Sequence, residues 1–157
     1  MEEYKTIQGY ENYEISNLGN VRNKTTNKIL KPHITTTGYY EIKLIKKHFK
    51  IHKLLGLYFL ENPNNLKCID HIDRCKTNNN LDNLRWCSYS DNSKNKTKNN
   101  NCSSIYMGVS KYIKGGYECY VWDNYKKNRI GVFKTELEAY EKRKKYIESI
   151  NNNFYNL

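Results

Sequence analysis

Long apolar runs are missing from this chain of 157 residues. Only 38% of it is hydrophobic and its mean hydropathy is −0.94. No stretch approaches the roughly 18 apolar residues a membrane span needs, Met1-Glu2-Glu3 does not open a signal peptide, and no strongly amphipathic basic helix stands out. These absences lead us to expect a soluble, intracellular chain without a membrane partner, folded as one domain or as two or three small ones around a small, divided core. Paired Cys-x2-4-Cys knuckles are missing too, so Cys68, Cys75 and Cys87 around His71 are not expected to hold zinc. The five cysteines, odd in number and without a secretion signal, argue against a disulfide framework and for reduced, packed thiols. Negative charge is scarce: 16 Asp and Glu stand against 27 Lys and Arg, a net +11. That surplus favours a polyanionic partner, because each Lys or Arg that neutralises a phosphate releases condensed counterions.

What the chain does have is concentrated in residues 70–92. Histidine is the side chain whose ordinary pKa suits a general base near neutrality, and hard divalent cations prefer carboxylate and amide oxygens. Asp70, His71 and Asn92 supply those groups. Residues 68–72 read as a short strand with Ile69 and Ile72 as its apolar positions, and residues 84–87 read as its partner across a polar loop. Ser88 and Asp91 have the spacing of a capping box, so a helix should start there with Asn92 in its first turns and fold it back beside Asp70.

Strand, loop, strand and helix in this order resemble the HNH (His-Me finger) nuclease family, in its branch of phage and intron-type homing endonucleases. The resemblance runs from about 51 to 93 on Ile51-His52-Lys53-Leu54-Leu55, Phe59, Asn62-Pro63-Asn64, Asp70-His71, Asn83-Leu84-Arg85-Trp86 and Asp91-Asn92. It implies His71 as general base, Asp70 and Asn92 on one divalent cation (Mg²⁺, with Mn²⁺ as the alternative), and Asn83 as the brace of the loop that orients His71. Arg74 and Cys75 depart from the pattern, standing where the family often has Gly and a polar residue, a departure that bears on turn geometry. Apolar residues at 51, 54, 55, 58 and 59 mark a core-facing helix. His52 lies off that stripe and is read as fixing the helix against the hairpin, not as a second base.

The flanks are modular. Residues 4–45 alternate in short stretches, broken by an Asn-x-Gly turn at 17–19 and closed by Tyr40, Ile42 and Leu44 on one strand face. Gly9-Tyr10-Glu11, Tyr13, Ile15-Ser16-Asn17, Gly19 and Val21-Arg22 resemble the short N-terminal DNA-engaging motif of phage-type HNH endonucleases, with Tyr4 where Trp is common. Residues 91–104 are rich in Asn, Lys, Ser and Thr and read as a linker. Beyond it, residues 108–110, 117–122 and 129–133 read as three strands, and Thr135 with Glu138 caps a helix whose stripe is Leu137, Tyr140, Ile147 and Ile150. Gly108-Val109-Ser110, Tyr117, Gly131-Val132-Phe133, Thr135 and Glu138-Ala139-Tyr140 resemble the ethylene-response-factor-like (APETALA-type) DNA-binding domain. Glu118 and Tyr120 fall where that family often has its base-reading arginines.

The expected fold class is therefore α+β: a β module over 3–45, a ββα-metal nuclease core over 46–93, a basic linker over 94–104, and a three-stranded sheet on one helix over 105–152. The expected function is that of a metal-dependent DNA endonuclease of the homing type, nicking one strand per active site. The alternative is a catalytically silent, DNA-binding or transcription-regulating protein on the same scaffold. Double-stranded DNA is the expected partner, the chain a monomer or weak dimer, and Arg22, Arg85, Lys94, Lys96, Lys111 and Arg129 the candidate DNA contacts. The abundance of Asn, Lys, Ile and Tyr, whose codons are A/T-rich, fits a phage, virus or mobile element.

Overall fold

The computed structural model describes residues 1–95, 103–123, 126–150 and 155. They form two units, Met1–Ser88 and Tyr89–Leu157, and the architecture is α+β as expected.

The first unit opens with an antiparallel meander of β1 (Tyr4–Ile7), β2 (Tyr10–Ser16) and β3 (Val21–Asn23). The expected turn at 17–19 is there, with Gly19 at φ +84°, a conformation that costs other residues a Cβ clash. Gly19 also lies against the helix that follows: a Cβ on it would stand 3.1 Å from Ile51 Cγ2. A second meander, β4 (His33–Ile34), β5 (Tyr40–Leu44) and β6 (Lys47–Lys50), runs directly into α1 (Ile51–Phe59). A boundary at 45/46 thus falls inside the β5–β6 hairpin, where Leu44 pairs with Lys47. The hairpin of β7 (Cys68–His71) and β8 (Leu84–Cys87) completes the unit. Ile72, expected to be a second apolar anchor of β7, lies beyond the strand and is exposed.

The core of this unit is continuous, and the expected division of the chain's core appears as one buried cluster in each unit. Ile7, Ile15, Val21, Ile42 and Leu44 from the meanders, Ile51, Leu54 and Leu55 from α1, and Ile69 and Leu84 from the hairpin form one buried cluster. The helix joins them because it has two buried faces. Leu54 and Leu55 lie on the expected stripe, whereas His52 and Gly56, one turn apart, are buried outside it. A Cβ on Gly56 would lie only 2.3 Å from Ile69 Cδ1, so glycine lets β7 approach the helix. The stripe missed this face because a histidine and a glycine register as polar and neutral in a hydrophobic period.

The second unit begins with α2 (Tyr89–Lys94), as the capping signal at Ser88 anticipates. β9 (Val109–Lys111), β10 (Tyr117–Asp123) and β11 (Lys126–Phe133) make an antiparallel sheet with β10 in the middle, followed by α3 (Glu136–Ser149). Thr135 caps α3 by accepting from the Glu138 N–H at 3.2 Å. Its inner face differs from the expected one: Ala139, Arg143 and Ile147 are buried at four-residue steps, while Leu137 is half exposed. A charged residue in the middle of the buried row hid it from a reading of hydrophobic period.

Candidate active site

Asp70 and His71 are the last two residues of β7, and both are buried. Register places Asp70 opposite Arg85 and His71 opposite Leu84. Arg85 Nε and Nη2 donate to Asp70 Oδ2 at 3.0 and 2.9 Å. Arg85, expected to meet DNA, therefore holds the carboxylate in this structure, and a buried carboxylate needs such a partner.

His71 Nε2 lies 3.1 Å from Asn79 Oδ1. An amide oxygen only accepts, so with the amide oriented this way Nε2 carries the ring proton and the lone pair of the neutral imidazole sits on Nδ1. The loop that delivers Asn79 is tied to Asn83. Asn83 Oδ1 accepts from Asp73 N at 3.0 Å, its Nδ2 donates to Asp73 Oδ1 at 2.9 Å and Asn78 O at 2.8 Å, and its backbone oxygen accepts from Ile72 N at 2.9 Å. Burial pushes the Asp73 carboxyl up, and hydrogen bonds from Asn78, Cys75 N–H and Asn83 outweigh it and hold the pKa below its ordinary value. Arg74, where the family pattern has Gly, adopts φ +65°. The turn keeps the left-handed conformation that glycine accepts freely and arginine does not.

On the other side of His71 stands His52. The two rings are 4.9 Å apart at 68°, and Tyr39 lies 4.8 Å from the His52 ring and 6.0 Å from that of His71. His52 thus fixes α1 against the hairpin through the base candidate itself. Burial, reinforced by the nearby His71, Lys50 and Lys53, pushes its pKa down to about 3, so it is neutral at physiological pH. Its buried Nδ1 has no hydrogen-bond partner among the described residues.

Asn92 lies in α2, in the second unit. The other candidates are distributed as follows. Arg22 donates to Glu14 Oε2 through Nε and Nη2, each at 2.9 Å, and stacks 3.6 Å over the Tyr4 ring. Lys94 is nearly buried between Asp91 (2.9 Å) and Asp123 (3.4 Å), a pairing that weighs against an open phosphate contact. Arg129 is half exposed and 3.5 Å from Glu118, Lys111 is exposed, and Lys96 lies outside the described residues. A second donor set, His33, Glu41 and His48, sits on the solvent side of β4–β5–β6 with its ligand atoms within 4.8 Å of one another. There both imidazoles meet one carboxylate oxygen, His48 Nδ1 at 2.8 Å and His33 Nε2 at 3.5 Å.

Sequence reasoning missed Asn79, the Asp70–Arg85 pair and Tyr39. Only the pair left a trace, since aligning the hairpin on Ile69 and Trp86 sets residue 70 opposite 85. Asn79 is one of three consecutive asparagines, and nothing local singles it out.

The fold and site are those of an α+β protein with a ββα-type hairpin presenting Asp-His. Comparison with known proteins agrees with the fold. Residues 2–45 match the NUMOD4 motif. The chain is 40% identical over 86 residues to an uncharacterized HNH endonuclease of Acanthamoeba polyphaga mimivirus, covering 52% of this chain and 26% of that protein. It is 39% identical over 98 residues to the DNA endonuclease I-HmuI of Bacillus phage SP01, covering 59% and 56%. The solved structure titled DNA binding and cleavage by the HNH homing endonuclease I-HmuI superimposes with a TM-score of 0.53 at 38% identity, over 59% of this chain and 56% of that one. The chain is thus a homologue of named HNH endonucleases and spans a quarter to about half of their length. Among the described residues no helix is long and apolar enough to cross a membrane.

Proposed function

We propose that this chain is a metal-dependent DNA endonuclease of the HNH homing type that hydrolyses a phosphodiester with His71 as general base. The observation that carries this reading is the buried His71, its Nε2 held 3.1 Å from Asn79 Oδ1, one residue from the buried carboxylate of Asp70. His71 takes the proton of the attacking water, a role that contributes about 10²- to 10⁴-fold. Asn83 keeps the Asn79 loop in place, and neutral His52 packs the imidazole without adding a competing charge. The carboxylate of Asp70 and the carboxamide of Asn92 are hard oxygen donors that fit one Mg²⁺ or Mn²⁺. When bound, that ion would hold the scissile oxygens, and its hydration water would supply the proton for the departing oxygen.

One such site cuts one strand, so a monomer should nick. Double-stranded DNA is the proposed partner, engaged by the N-terminal module with Arg22, by Lys94 on release from Asp91 and Asp123, by Lys96, and by the ethylene-response-factor-like sheet with Lys111 and Arg129. Glu118, in a base-reading position, is neutralised there by Arg129. Phosphate contacts of this kind position the enzyme and do not select its site.

Supercoiled plasmid, incubated with protein and Mg²⁺ or with EDTA, tests the reading. Wild type should nick in a metal-dependent way, and His71→Ala should lose at least about 100-fold in rate while still shifting DNA in a gel. Equal cutting by both proteins would overturn it. Binding without cutting in either would favour the silent DNA-binding scaffold.

A further inference from the structure

The second unit contains a buried charge that the nuclease reading does not use. Arg143, at the centre of the inner face of α3, is 4% exposed, and two of its three guanidinium nitrogens, Nε and Nη1, have no hydrogen-bond partner among the described residues. Burying an unpaired cation is costly enough that proteins rarely keep one without a compensating anion. The backbone is shaped around it: Gly108 has φ +68°, and a Cβ there would fall 2.3 Å from Arg143 Nε.

The guanidinium lines a cavity of about 440 Å³. That is the size of a small-ligand site. Its walls include Met107, Tyr120, Trp122 and Tyr155; the Tyr155 hydroxyl donates to the Trp122 carbonyl, and its ring lies 5.2 Å from Lys94 Nζ and 5.8 Å from the Arg143 guanidinium. Lys94 also lines the cavity, but Asp91 and Asp123 already pair with it. Arg143 is therefore the wall cation without an acidic partner among the described residues.

Aromatic rings supply stacking surfaces that accept any nucleobase, and a guanidinium is the side chain best suited to a phosphate. We propose that this cavity binds a nucleotide, its phosphate on Arg143 and its base against Tyr120, Trp122 and Tyr155. The nucleotide is either free or part of a DNA strand, and the chemistry of recognition is the same.

Calorimetric titration of the whole chain in EDTA, where no strand is cut, tests this apart from the nuclease reading. The probes are dTMP, inorganic phosphate and a short single-stranded oligonucleotide. We expect saturable dTMP binding at one site, phosphate at least tenfold weaker, and at least tenfold loss of dTMP affinity in Arg143→Met, the scale of a lost charged hydrogen bond. Without ligand Arg143→Met should melt no lower than wild type, because it removes an uncompensated charge; a structural role would lower the melting temperature instead. Should that variant fail to fold, Trp122→Leu, at a half-exposed position, should weaken dTMP about fivefold or more. Oligonucleotide binding that falls in the variants together with dTMP assigns the site to a strand nucleotide; dTMP alone falling assigns it to a free one. The absence of saturable dTMP binding, unchanged affinity in both variants, or phosphate binding as tightly as dTMP would overturn the proposal.

Discussion

Each unit of this protein buries a charged group, and they treat it in opposite ways. In the first, Asp70 is met by two N–H groups of Arg85, and His71 by Asn79; the orphan atom is Nδ1 of His52, on a ring that stays neutral. In the second, the orphan atoms belong to Arg143, a cation. A neutral orphan costs about 1–3 kcal/mol, which a continuous core drawing on both meanders, the helix and the hairpin absorbs. A charged orphan costs more, and the buried cluster that the second unit has to offset it, Val109, Cys119 and Ala139 with the partly buried residues packed on them, is smaller among the described residues than that of the first. The first pattern is that of buried polar groups answered by neighbouring side chains. The second is that of a site left open for something else.

The largest effect should come from breaking the paired charge. Arg85→Met strips the buried Asp70 carboxylate of its two guanidinium hydrogen bonds, and urea denaturation in EDTA should show a loss of about 3–5 kcal/mol, opposite in sign to the effect expected for Arg143→Met. If the two substitutions moved stability in the same direction, the contrast between the units would collapse.

Next comes pH. Because the folded pKa of His52 is depressed to about 3 from an ordinary value near 6.5, the unfolded chain binds more protons between those values. Its contribution to stability is therefore complete above about pH 6.5 and is lost as pH falls toward 3, at up to about 1.4 kcal/mol per pH unit. The difference between wild type and His52→Gln, followed by denaturation from pH 7 to 4, should show that slope; parallel curves would mean that the ring is not held neutral by the fold.

The smallest effect should be a gain. Arg74 pays for its positive φ, so Arg74→Gly should stabilise the first unit by about 1 kcal/mol, read as a higher urea midpoint without loss of nicking. Destabilisation would mean that the arginine side chain contributes more than its backbone costs.

Much of the β7–β8 hairpin and of the helix caps was legible because their signals are local. The alternation around Ile69 and Trp86, the Ser88–Asp91 spacing and the Thr135–Glu138 cap each depend on residues a few positions apart, and the structure has β7, β8, α2 and α3 at those places. The buried faces that include His52 and Gly56 on α1 and Arg143 on α3 were not legible for one common reason. Hydrophobic period assumes that buried positions are apolar, and here a histidine, a glycine and an arginine occupy them.

By itself, then, the sequence determined the α+β class, the strand-loop-strand-helix order around residues 70–92, the basic surplus that calls for a polyanion, and the residue types suited to phosphodiester chemistry. Only the tertiary structure decided which partners those residues have: Arg85 for Asp70, Asn79 and His52 for His71, and, among the described residues, none for two nitrogens of Arg143. Propensity and spacing act over a few residues, whereas the answering of a buried polar atom depends on whatever distant segment the packed core brings beside it.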